Sequence, residues 1–353
     1  MLKQLLQGNQ AIIQAAERAG LGLFAGYPIT PASEILHELV GRKHIKVLQM
    51  EDEIASINAC IGASLAGLKV MTATSGPGFS LMQESIGLAH MMEIPMVIVD
   101  VQRVGPSTGM PTFPAQGDII QARHGSHGDY FPIIFYPNSV EELYRYTFSA
   151  FNAAEESLSP VILLSDGYIS HLYETVELKD YPIAQRSRPP LGTSNRHFTG
   201  LTHRDSKPVT SSPETHRDLL AQLQKKCMET SRNYNFYEYM ENTEADTLLI
   251  AFGALSRAVC QFKDKYALFR PIRLFPMIEE LKDVASRYEH IIVLEMNAGQ
   301  YCYQVERLIH REVGLVSLPG GQIDIKEISD RLQGLRQKLP KQVSVSQLEP
   351  LNP

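Results

Sequence analysis

The sequence contains no tryptophan and only four cysteines in 353 residues. The cysteines form no C-x-x-C pair and lie far apart, at Cys60, Cys227, Cys260 and Cys302. Metal and iron–sulfur sites need closely spaced thiolates, so we expect these four side chains to be small buried hydrophobes in a reducing compartment. Any iron–sulfur chemistry would therefore have to come from another chain or domain.

Basic charge is not in excess either, because 33 lysines and arginines face 39 aspartates and glutamates and leave a net charge of −6. Nucleic acids and anionic membrane surfaces attract basic stripes, and the sequence shows none. No apolar run reaches the roughly 18 residues that a spanning helix needs. The N-terminal segment lacks the apolar centre and the cleavage site of a signal peptide. We therefore expect a cytoplasmic protein without a nucleic-acid or membrane partner.

Helical periodicity alternates with short apolar or β-branched runs from residue 10 to about residue 170. The pattern predicts helices over residues 9–20, 32–41, 53–66 and 79–91. It predicts strands in "LGLFAGY", "HIKVLQM", "KVMTATS" and "PMVIVDVQ". Such alternation indicates an α/β fold with a mostly parallel sheet, whose ligands bind at the carboxyl ends of the strands.

The pattern changes after "SPVILLSDGYIS", where proline, serine, threonine and glycine become frequent. We predict a first domain over 1–180, an extended linker over 181–240 and a second α/β domain over 241–338. The strands of the second domain are predicted in "DTLLIAFG", "IRLFP" and "HIIVLEM". The tail at 339–353 looks poorly anchored.

The most informative motif is "MEDEIASINACIGASLAG" followed by "MTATSGPGFSLMQE". Glu53 lies in the first turn of a predicted helix, where an acid alone is explained by stabilisation of the helix dipole, worth about 0.3–1 kcal/mol. The next strand ends in Thr74-Ser75-Gly76-Pro77-Gly78, where glycines let the backbone approach a ligand closely and free N–H groups begin a helix. Two strand ends, one with a carboxylate and one with a Gly-Pro-Gly loop, are therefore expected to face one crevice.

Three other patterns are weaker. Gly20, Gly22 and Gly26 have the spacing G-x-G-x-x-x-G and precede or occupy a strand, so they do not match a dinucleotide fingerprint. Ser64 lies in the middle of a predicted helix and lacks the second glycine of a nucleophile elbow. His124 and His127 could be ligands or active-site donors, although we favour solvated or backbone-bonded loop histidines.

A glutamate followed nine residues later by a glycine, and then by a T-S-G-P-G loop, resembles the pyrimidine-binding domain of thiamine diphosphate enzymes. "GYPITPASE", "DVQRVGPSTGMPT" and "HGSHGD" resemble the alpha subunit of 2-oxoacid:ferredoxin oxidoreductases, most closely its 2-oxoglutarate synthase branch. "RHFTGLTHRD", "RLFP" and "VLEMNAGQY" extend the resemblance over roughly residues 8 to 335. It implies a pyrimidine-binding-type parallel sheet domain followed by a transketolase C-terminal-like α/β domain.

The resemblance also implies roles for individual residues. A carboxylate at Glu53 would hydrogen-bond N1′ of the cofactor's aminopyrimidine ring, which requires burial and a raised pKa. The other implied cofactor contacts are Pro28, Ile29, Ser75 and Gly76. Arg103 would bind the substrate carboxylate through its planar fork, with hydroxyls from Thr30 and Thr108. The alternative for "GYPITPASE" is a loop with a solvated Thr30 in which Ser33 caps the next helix.

Two departures from the family pattern bear on function. Asp166-Gly167 with Asn195 downstream is similar to the magnesium and diphosphate signature, but Ser165 replaces its first glycine and Asn195 falls in the predicted linker. We therefore expect no metal ligand in this chain and place the diphosphate half of the site elsewhere. Val104 stands where the family's substrate loop commonly has a second glycine, which keeps pyruvate and branched-chain 2-oxoacids open as alternative substrates.

The resemblance implies a coenzyme A-dependent enzyme that is active only with a beta subunit. That partner would carry Mg²⁺, the diphosphate site and a 4Fe-4S cluster, with ferredoxin as the electron acceptor. Further gamma and delta subunits are compatible with the pattern, and the simplest assembly is a dimer of heterodimers. The rival hypotheses are a non-catalytic assembly subunit and a nicotinamide-dependent dehydrogenase, and the failed dinucleotide spacing argues against the second.

Overall fold

The computed structural model describes residues 3–193 and 195–336, so the predicted tail at 339–353 lies outside the described residues. The strands in chain order are β1 (Lys3–Gln7), β2 (Leu21–Gly26), β3 (Lys46–Gln49), β4 (Lys69–Thr74), β5 (Met96–Val104), β6 (Met110–Pro114), β7 (Ile133–Phe135), β8 (Pro160–Asp166), β9 (Tyr173–Glu177), β10 (His203–Arg204), β11 (Lys207–Pro208), β12 (Tyr237–Met240), β13 (Thr247–Ile250), β14 (Ala267–Pro271), β15 (Arg273–Phe275), β16 (His290–Glu295) and β17 (Gly314–Ser317).

The helices in chain order are α1 (Gly8–Arg18), α2 (Ser33–Leu39), α3 (Glu53–Leu65), α4 (Gly76–Met91), α5 (Ile119–His124), α6 (Val140–Ser157), α7 (Gly167–His171), α8 (Pro213–Arg232), α9 (Gly253–Val259), α10 (Glu280–Ala285), α11 (Cys302–Ile309) and α12 (Ile325–Arg336), with a 3₁₀ turn at Cys260–Phe262. None of the helices in the described ranges has the length and the apolar character that crossing a membrane requires.

The first sheet has the order β15-β7-β8-β5-β4-β2-β3, and its strands from β7 to β3 run parallel. Helices cover both faces of this sheet. Their buried apolar side chains pack with those of the strands into one cluster on each side. This arrangement confirms the parallel α/β sheet predicted from the alternating pattern. Parallel strands buried on both faces read as continuous apolar runs, as in "MVIVDVQRV" of β5.

The second sheet has the order β12-β14-β13-β16-β17. Its strands are parallel except for β12, which pairs antiparallel with the edge strand β14. A third apolar cluster covers the face of this sheet that packs α12. The carboxyl end of β16 contributes residues to the cavity described below.

The predicted linker over 181–240 is wrong in its second half, because α8 occupies Pro213–Arg232 and β12 already belongs to the second sheet. Ser212 caps α8 by accepting a hydrogen bond from the backbone N–H of Thr215, and Leu219, Leu223 and Cys227 bury its inner face. A three- to four-residue spacing of apolar side chains explains why this polar segment folds as an amphipathic helix.

The strand predicted from "IRLFP" exists as β15, but it joins the first sheet rather than the second. It pairs antiparallel with β7, with Arg273 opposite Phe135. The chain therefore returns from the second sheet to complete the edge of the first one. The division of the chain at residues 180 and 241 stays a prediction.

Candidate active site

A cavity of about 480 Å³ opens at the carboxyl ends of the parallel strands of the first sheet. One wall comes from the start of α4 and from the chain after β5, including Gly76, Arg103 and Asp118. The opposite wall comes from residues after β16, including Asn297 and Gln300. The position agrees with the general rule that open parallel sheets bind ligands beyond the carboxyl ends of their strands.

Glu53 begins α3 beside this crevice and is only 4% exposed. Asp52 precedes it as the N-cap, and its carboxylate accepts a hydrogen bond of 2.7 Å from the backbone N–H of Ala55. Desolvation raises the pKa of Glu53 above its ordinary value, against the lowering effects of a hydrogen bond from Thr74 and of the nearby charge of Arg103. Asp52 therefore stabilises the helix end, and Glu53 is free for another role.

Gly78 lies directly against the Glu53 carboxyl group. A Cβ atom at this position would be 2.1 Å from Glu53 Oε1 and 2.2 Å from Thr74 Oγ1, a distance that no real contact allows. Glycine is therefore required for α4 to approach the carboxyl group. Ser75 is the N-cap of α4, and its buried hydroxyl oxygen has no hydrogen-bond partner in the described part of the chain.

Arg103, at the end of β5, connects that strand to the "GYPITPASE" turn. Its Nη1 donates a hydrogen bond of 2.7 Å to the carbonyl oxygen of Thr30, while its buried Nε has no partner among the described residues. Arg103 as a whole residue is 8% exposed, and its guanidinium is attracted by Asp118 and Glu53. The structure thus brings together three of the residues predicted from sequence.

Thr30 itself is exposed, and α2 begins at Ser33 with Ala32 as an N-cap that makes no side-chain hydrogen bond. Ser33 is therefore not the helix cap that the alternative interpretation of this turn required. Pro28 and Ile29 are half-buried after β2, and Ile29 packs against the apolar cluster beneath the sheet.

Thr108 lies in the exposed loop between β5 and β6, outside the set of residues that line the cavity. His124 and His127 are exposed and do not line it either. Asp166 is an N-cap, since its carboxylate accepts bonds of 3.0 Å from the backbone N–H groups of Tyr168 and Ile169. In this structure Asp166 therefore acts as the cap of α7.

Two carboxyl groups at the cavity were not predicted, one on its wall at Asp118 and one buried behind it at Asp100. Asp100 is completely buried in β5, and Asp118 precedes α5. Desolvation and the mutual repulsion of the two groups raise the pKa of Asp100 well above its ordinary value, and desolvation raises the pKa of Asp118 to about 6. The only signal in the sequence is a lone acid inside the apolar run "PMVIVDVQ".

Hydrogen bonds join the wall from the second sheet to the first. Gln116 accepts a bond of 3.0 Å from the backbone N–H of Met296, and Asn297 donates one of 2.6 Å to the carbonyl oxygen of Gln116. Gln300 accepts from the N–H of Ile120 at 3.0 Å and donates to the carbonyl oxygen of Gly117 at 2.6 Å. This wall was not predicted, although "NAGQY" directly follows the predicted strand "HIIVLEM" and so lies at its carboxyl end.

The residues present fit the aminopyrimidine half of thiamine diphosphate. A buried carboxyl group with a raised pKa, a glycine backbone packed directly against it and an unpartnered serine hydroxyl suit the polar edge of a flat heterocycle. Among the described residues, the one group of side chains that could hold a metal ion is Asp246, Glu289 and His290. These residues lie where β13 and β16 begin, at the opposite end of the strands from the cavity.

Comparisons with known proteins agree with this geometry. The family described as "Pyruvate flavodoxin/ferredoxin oxidoreductase, thiamine diP-bdg" matches residues 14–242. The 2-oxoglutarate synthase subunit KorA of Methanocaldococcus jannaschii is 42% identical over 94% of this chain and 99% of its own length. The ketoisovalerate oxidoreductase subunit VorB of Methanothermobacter marburgensis is 36% identical over 96% of this chain and 98% of its own.

A solved structure of 2-oxoglutarate:ferredoxin oxidoreductase from Magnetococcus marinus, with 2-oxoglutarate, coenzyme A and succinyl-CoA bound, superposes with a TM-score of 0.87. The two chains are 31% identical, and the match covers 94% of this chain and 65% of the solved one. These matches confirm the fold class that the resemblance implied. The chain belongs to the thiamine diphosphate-binding family of the pyruvate flavodoxin/ferredoxin oxidoreductases.

Proposed function

We propose that this chain is the alpha subunit of a 2-oxoglutarate:ferredoxin oxidoreductase. The reaction is the oxidative decarboxylation of 2-oxoglutarate to succinyl-CoA, dependent on coenzyme A and thiamine diphosphate, with reduction of ferredoxin. The observation that carries the proposal is the Glu53 carboxyl group, which is buried against Gly78 and close enough to Arg103 for their charges to interact. The relatives named as 2-oxoglutarate synthase subunits support the substrate.

Glu53 is assigned to N1′ of the aminopyrimidine ring. Thiamine diphosphate supplies a nucleophilic thiazolium carbon when its 4′-amino group acts as a base. A carboxyl group hydrogen-bonded to N1′ promotes this behaviour, because it holds a proton at that nitrogen. Burial helps, since a carboxyl group with a raised pKa shares a proton with a weakly basic ring nitrogen more evenly than a solvated one does.

Arg103 is assigned to the carboxylate of the 2-oxoacid. One nitrogen of its fork is already held by the Thr30 carbonyl oxygen, which restrains the guanidinium, and Arg103 lines the cavity. A fixed fork binds a planar carboxylate with less loss of side-chain entropy than a free one. Thr30 and Thr108 are assigned as hydroxyl donors, and Pro28, Ile29, Ser75 and Gly76 as cofactor contacts.

A beta subunit would complete the site. Four large apolar side chains near the carboxyl ends of β2 and β3, on the first turn of α3 and on the second turn of α4 are 41–48% exposed: Tyr27, Leu48, Ile54 and Leu81. Exposed apolar side chains around a polar site are typical of an interface. The partner would carry Mg²⁺, the diphosphate site and the 4Fe-4S cluster, and two such pairs would form a cytoplasmic dimer of heterodimers.

The proposal is tested by purifying the chain together with its native partner and measuring coenzyme A-dependent reduction of a viologen dye. Turnover of 2-oxoglutarate should exceed turnover of pyruvate and of 2-oxoisovalerate. The similarity to a ketoisovalerate oxidoreductase subunit makes 2-oxoisovalerate the competing substrate that matters most. A complex without thiamine, or one that turns over none of the three acids, would contradict the proposal.

A further inference from the structure

Two consecutive carbonyl oxygens in the turn between β2 and α2 are held by side chains from two other elements. The carbonyl oxygen of Thr30 accepts the bond of 2.7 Å from Arg103 Nη1, at the end of β5. The carbonyl oxygen of the next residue, Pro31, accepts a bond of 3.0 Å from Nδ2 of Asn9, in the first turn of α1. The turn that restrains Arg103 is thus itself tied to α1.

The partners of the Asn9 amide fix its orientation. Nδ2 donates a second bond, of 3.2 Å, to Oε2 of Glu34 in the first turn of α2. A carbonyl oxygen and a carboxylate oxygen only accept hydrogen bonds, so the nitrogen of the amide must face both of them. Oδ1 is sealed from solvent and has no partner among the described residues. Asn9 is completely buried, so water does not reach its amide to replace these bonds.

The start of α1 is fixed against α7. Gly8, the first residue of α1, donates its backbone N–H to the carbonyl oxygen of Leu172 at 3.1 Å. A Cβ atom on Gly8 would be 2.2 Å from the carbonyl oxygen of Ile169, so only glycine lets α1 approach α7 this closely. Asn9 follows directly in the chain. The start of α1 therefore combines a glycine for close approach with an amide that reaches the turn.

We propose that Asn9 is a positioning residue, which holds the Thr30–Pro31 segment where the Thr30 carbonyl oxygen restrains Arg103 for binding of the substrate carboxylate. This inference rests on the substrate role proposed for Arg103. Asn9 is not among the residues that line the cavity, so it acts through the turn and not on the substrate. Without its amide the turn can shift, and a shift of about 1 Å in a positioned group can cost about 100-fold in rate.

The first measurement is the KM for 2-oxoglutarate of the complex with its partner subunit, at saturating coenzyme A and thiamine diphosphate. Asn9→Ala removes both bonds and should raise KM about tenfold, the lower end of the effect expected from loss of the Arg103 fork. Asn9→Asp keeps the size of the side chain but places a carboxylate against two acceptors, and should raise KM at least as much. The kcat should change less than about threefold, because the lost interaction binds the substrate before the reaction begins.

Gln10→Ala is the matched control. Gln10 is the next residue of α1, and its Nε2 donates to Oε1 of Glu38 in α2 at 2.9 Å, while its Oε1 accepts from the backbone N–H of Gln7 at 3.0 Å. This variant also loses two hydrogen bonds at the start of α1, but neither of them is made to the turn. It should leave KM within about twofold of the wild type. An equal rise in KM in Gln10→Ala and Asn9→Ala would overturn the proposal, since both would then act by loosening α1.

A double-mutant cycle determines whether Asn9 acts through Arg103. Lysine has no planar fork to restrain, so in an Arg103→Lys background Asn9→Ala should raise KM by less than about twofold. A further rise of about tenfold in that background would overturn the route through Arg103.

Hydrogen exchange of backbone amides gives a readout that needs no turnover. Within the turn, the N–H of Ala32 donates to the carbonyl oxygen of Ile29 at 2.8 Å. Peptides over residues 27–36 should exchange about five- to tenfold faster in Asn9→Ala than in the wild type or in Gln10→Ala, the factor expected for one lost hydrogen bond. Unchanged exchange would overturn the anchoring of the turn by Asn9. Faster exchange in a complex that turns over no 2-oxoacid would support the anchoring and contradict the proposed function alone.

Discussion

Replacing Glu53 with glutamine tests the proposed chemistry most directly. Glutamine keeps the shape of the side chain beneath Gly78 but cannot hold a proton between itself and a ring nitrogen. A proton held by a positioned side chain contributes typically 10²- to 10⁴-fold to the rate. We therefore expect Glu53→Gln to lower kcat by at least about 100-fold, which corresponds to about 2.7 kcal/mol of transition-state stabilisation.

The fold should survive this change. Burial raises the pKa of Glu53, so the ionised carboxylate is already disfavoured where it lies, and a neutral amide removes that cost. The substitution weakens one hydrogen bond with Thr74, which is worth about 1 kcal/mol. For a chain of this size such a change moves Tm by no more than about 2–4 °C.

The assay is coenzyme A-dependent dye reduction by the complex with its partner, together with the melting temperature of each variant. Glu51→Gln is the control, because Glu51 is exposed two residues before Glu53 and carries the same charge. It should leave kcat within a factor of two. Retention of more than one tenth of the wild-type kcat by Glu53→Gln, with thiamine diphosphate bound, would refute the reasoning.

Three further predictions concern single residues around the site and in the core. Gly78→Ala should lower kcat at least tenfold and lower the free energy of unfolding by about 1–3 kcal/mol, since the new Cβ would displace the Glu53 carboxyl group. Gly62→Ala in α3 is the control, because nothing lies within 4 Å of its Cβ. It should instead raise the free energy of unfolding in urea by about 0.5–1 kcal/mol. Arg103→Lys should raise the KM for 2-oxoglutarate about 10- to 100-fold through loss of the bidentate fork. Arg18→Lys, in an exposed pair with Asp180, should leave KM unchanged. Equal KM values for the two variants would contradict the role of Arg103. Burial lowers the pKa of His90 to about 4. As the pH falls from about 6.5 to 4, the unfolded chain therefore binds a proton that the folded chain does not, and up to about 3 kcal/mol of the free energy of unfolding is lost. Urea unfolding at pH 7 and pH 5 should show a smaller loss in His90→Gln than in the wild type, and equal losses would contradict the assignment.

Sequence periodicity predicted the elements of the first sheet well, because each strand there is a continuous apolar run between two helical segments. The start of α4 was predicted at residue 79, but the helix begins at Gly76, and the reason is simple. "TSGPG" looks like a turn, but Gly76 and Pro77 form the first turn of the helix, where the missing N–H of proline has no partner to lose. The motif was located correctly, and only the start of the helix was misplaced.

Other features depend on pairings that are distant in the sequence. "IRLFP" was predicted as a strand, but nothing in five apolar residues says that it pairs with β7 in the other sheet. The hydrogen bond from Asn9 to Pro31 is equally invisible, since an asparagine at the start of a helix and a proline in a turn carry no common period. Glu53 and Arg103 were proposed as site residues from a family resemblance, because burial alone would not have singled them out.

β15 follows strands of the second sheet in the chain but pairs with β7 of the first sheet, and this limits where the chain can be divided. The family description ends at residue 242, before β15 and before the Met296 and Asn297 partners of Gln116. A fragment that stops there would leave the outer backbone groups of β7 unpaired, and an open strand edge recruits other chains into aggregates. The family match at residues 14–242 thus ends before residues that the first sheet needs to complete its edge. Bisecting this gene at that boundary should yield inclusion bodies rather than a working half.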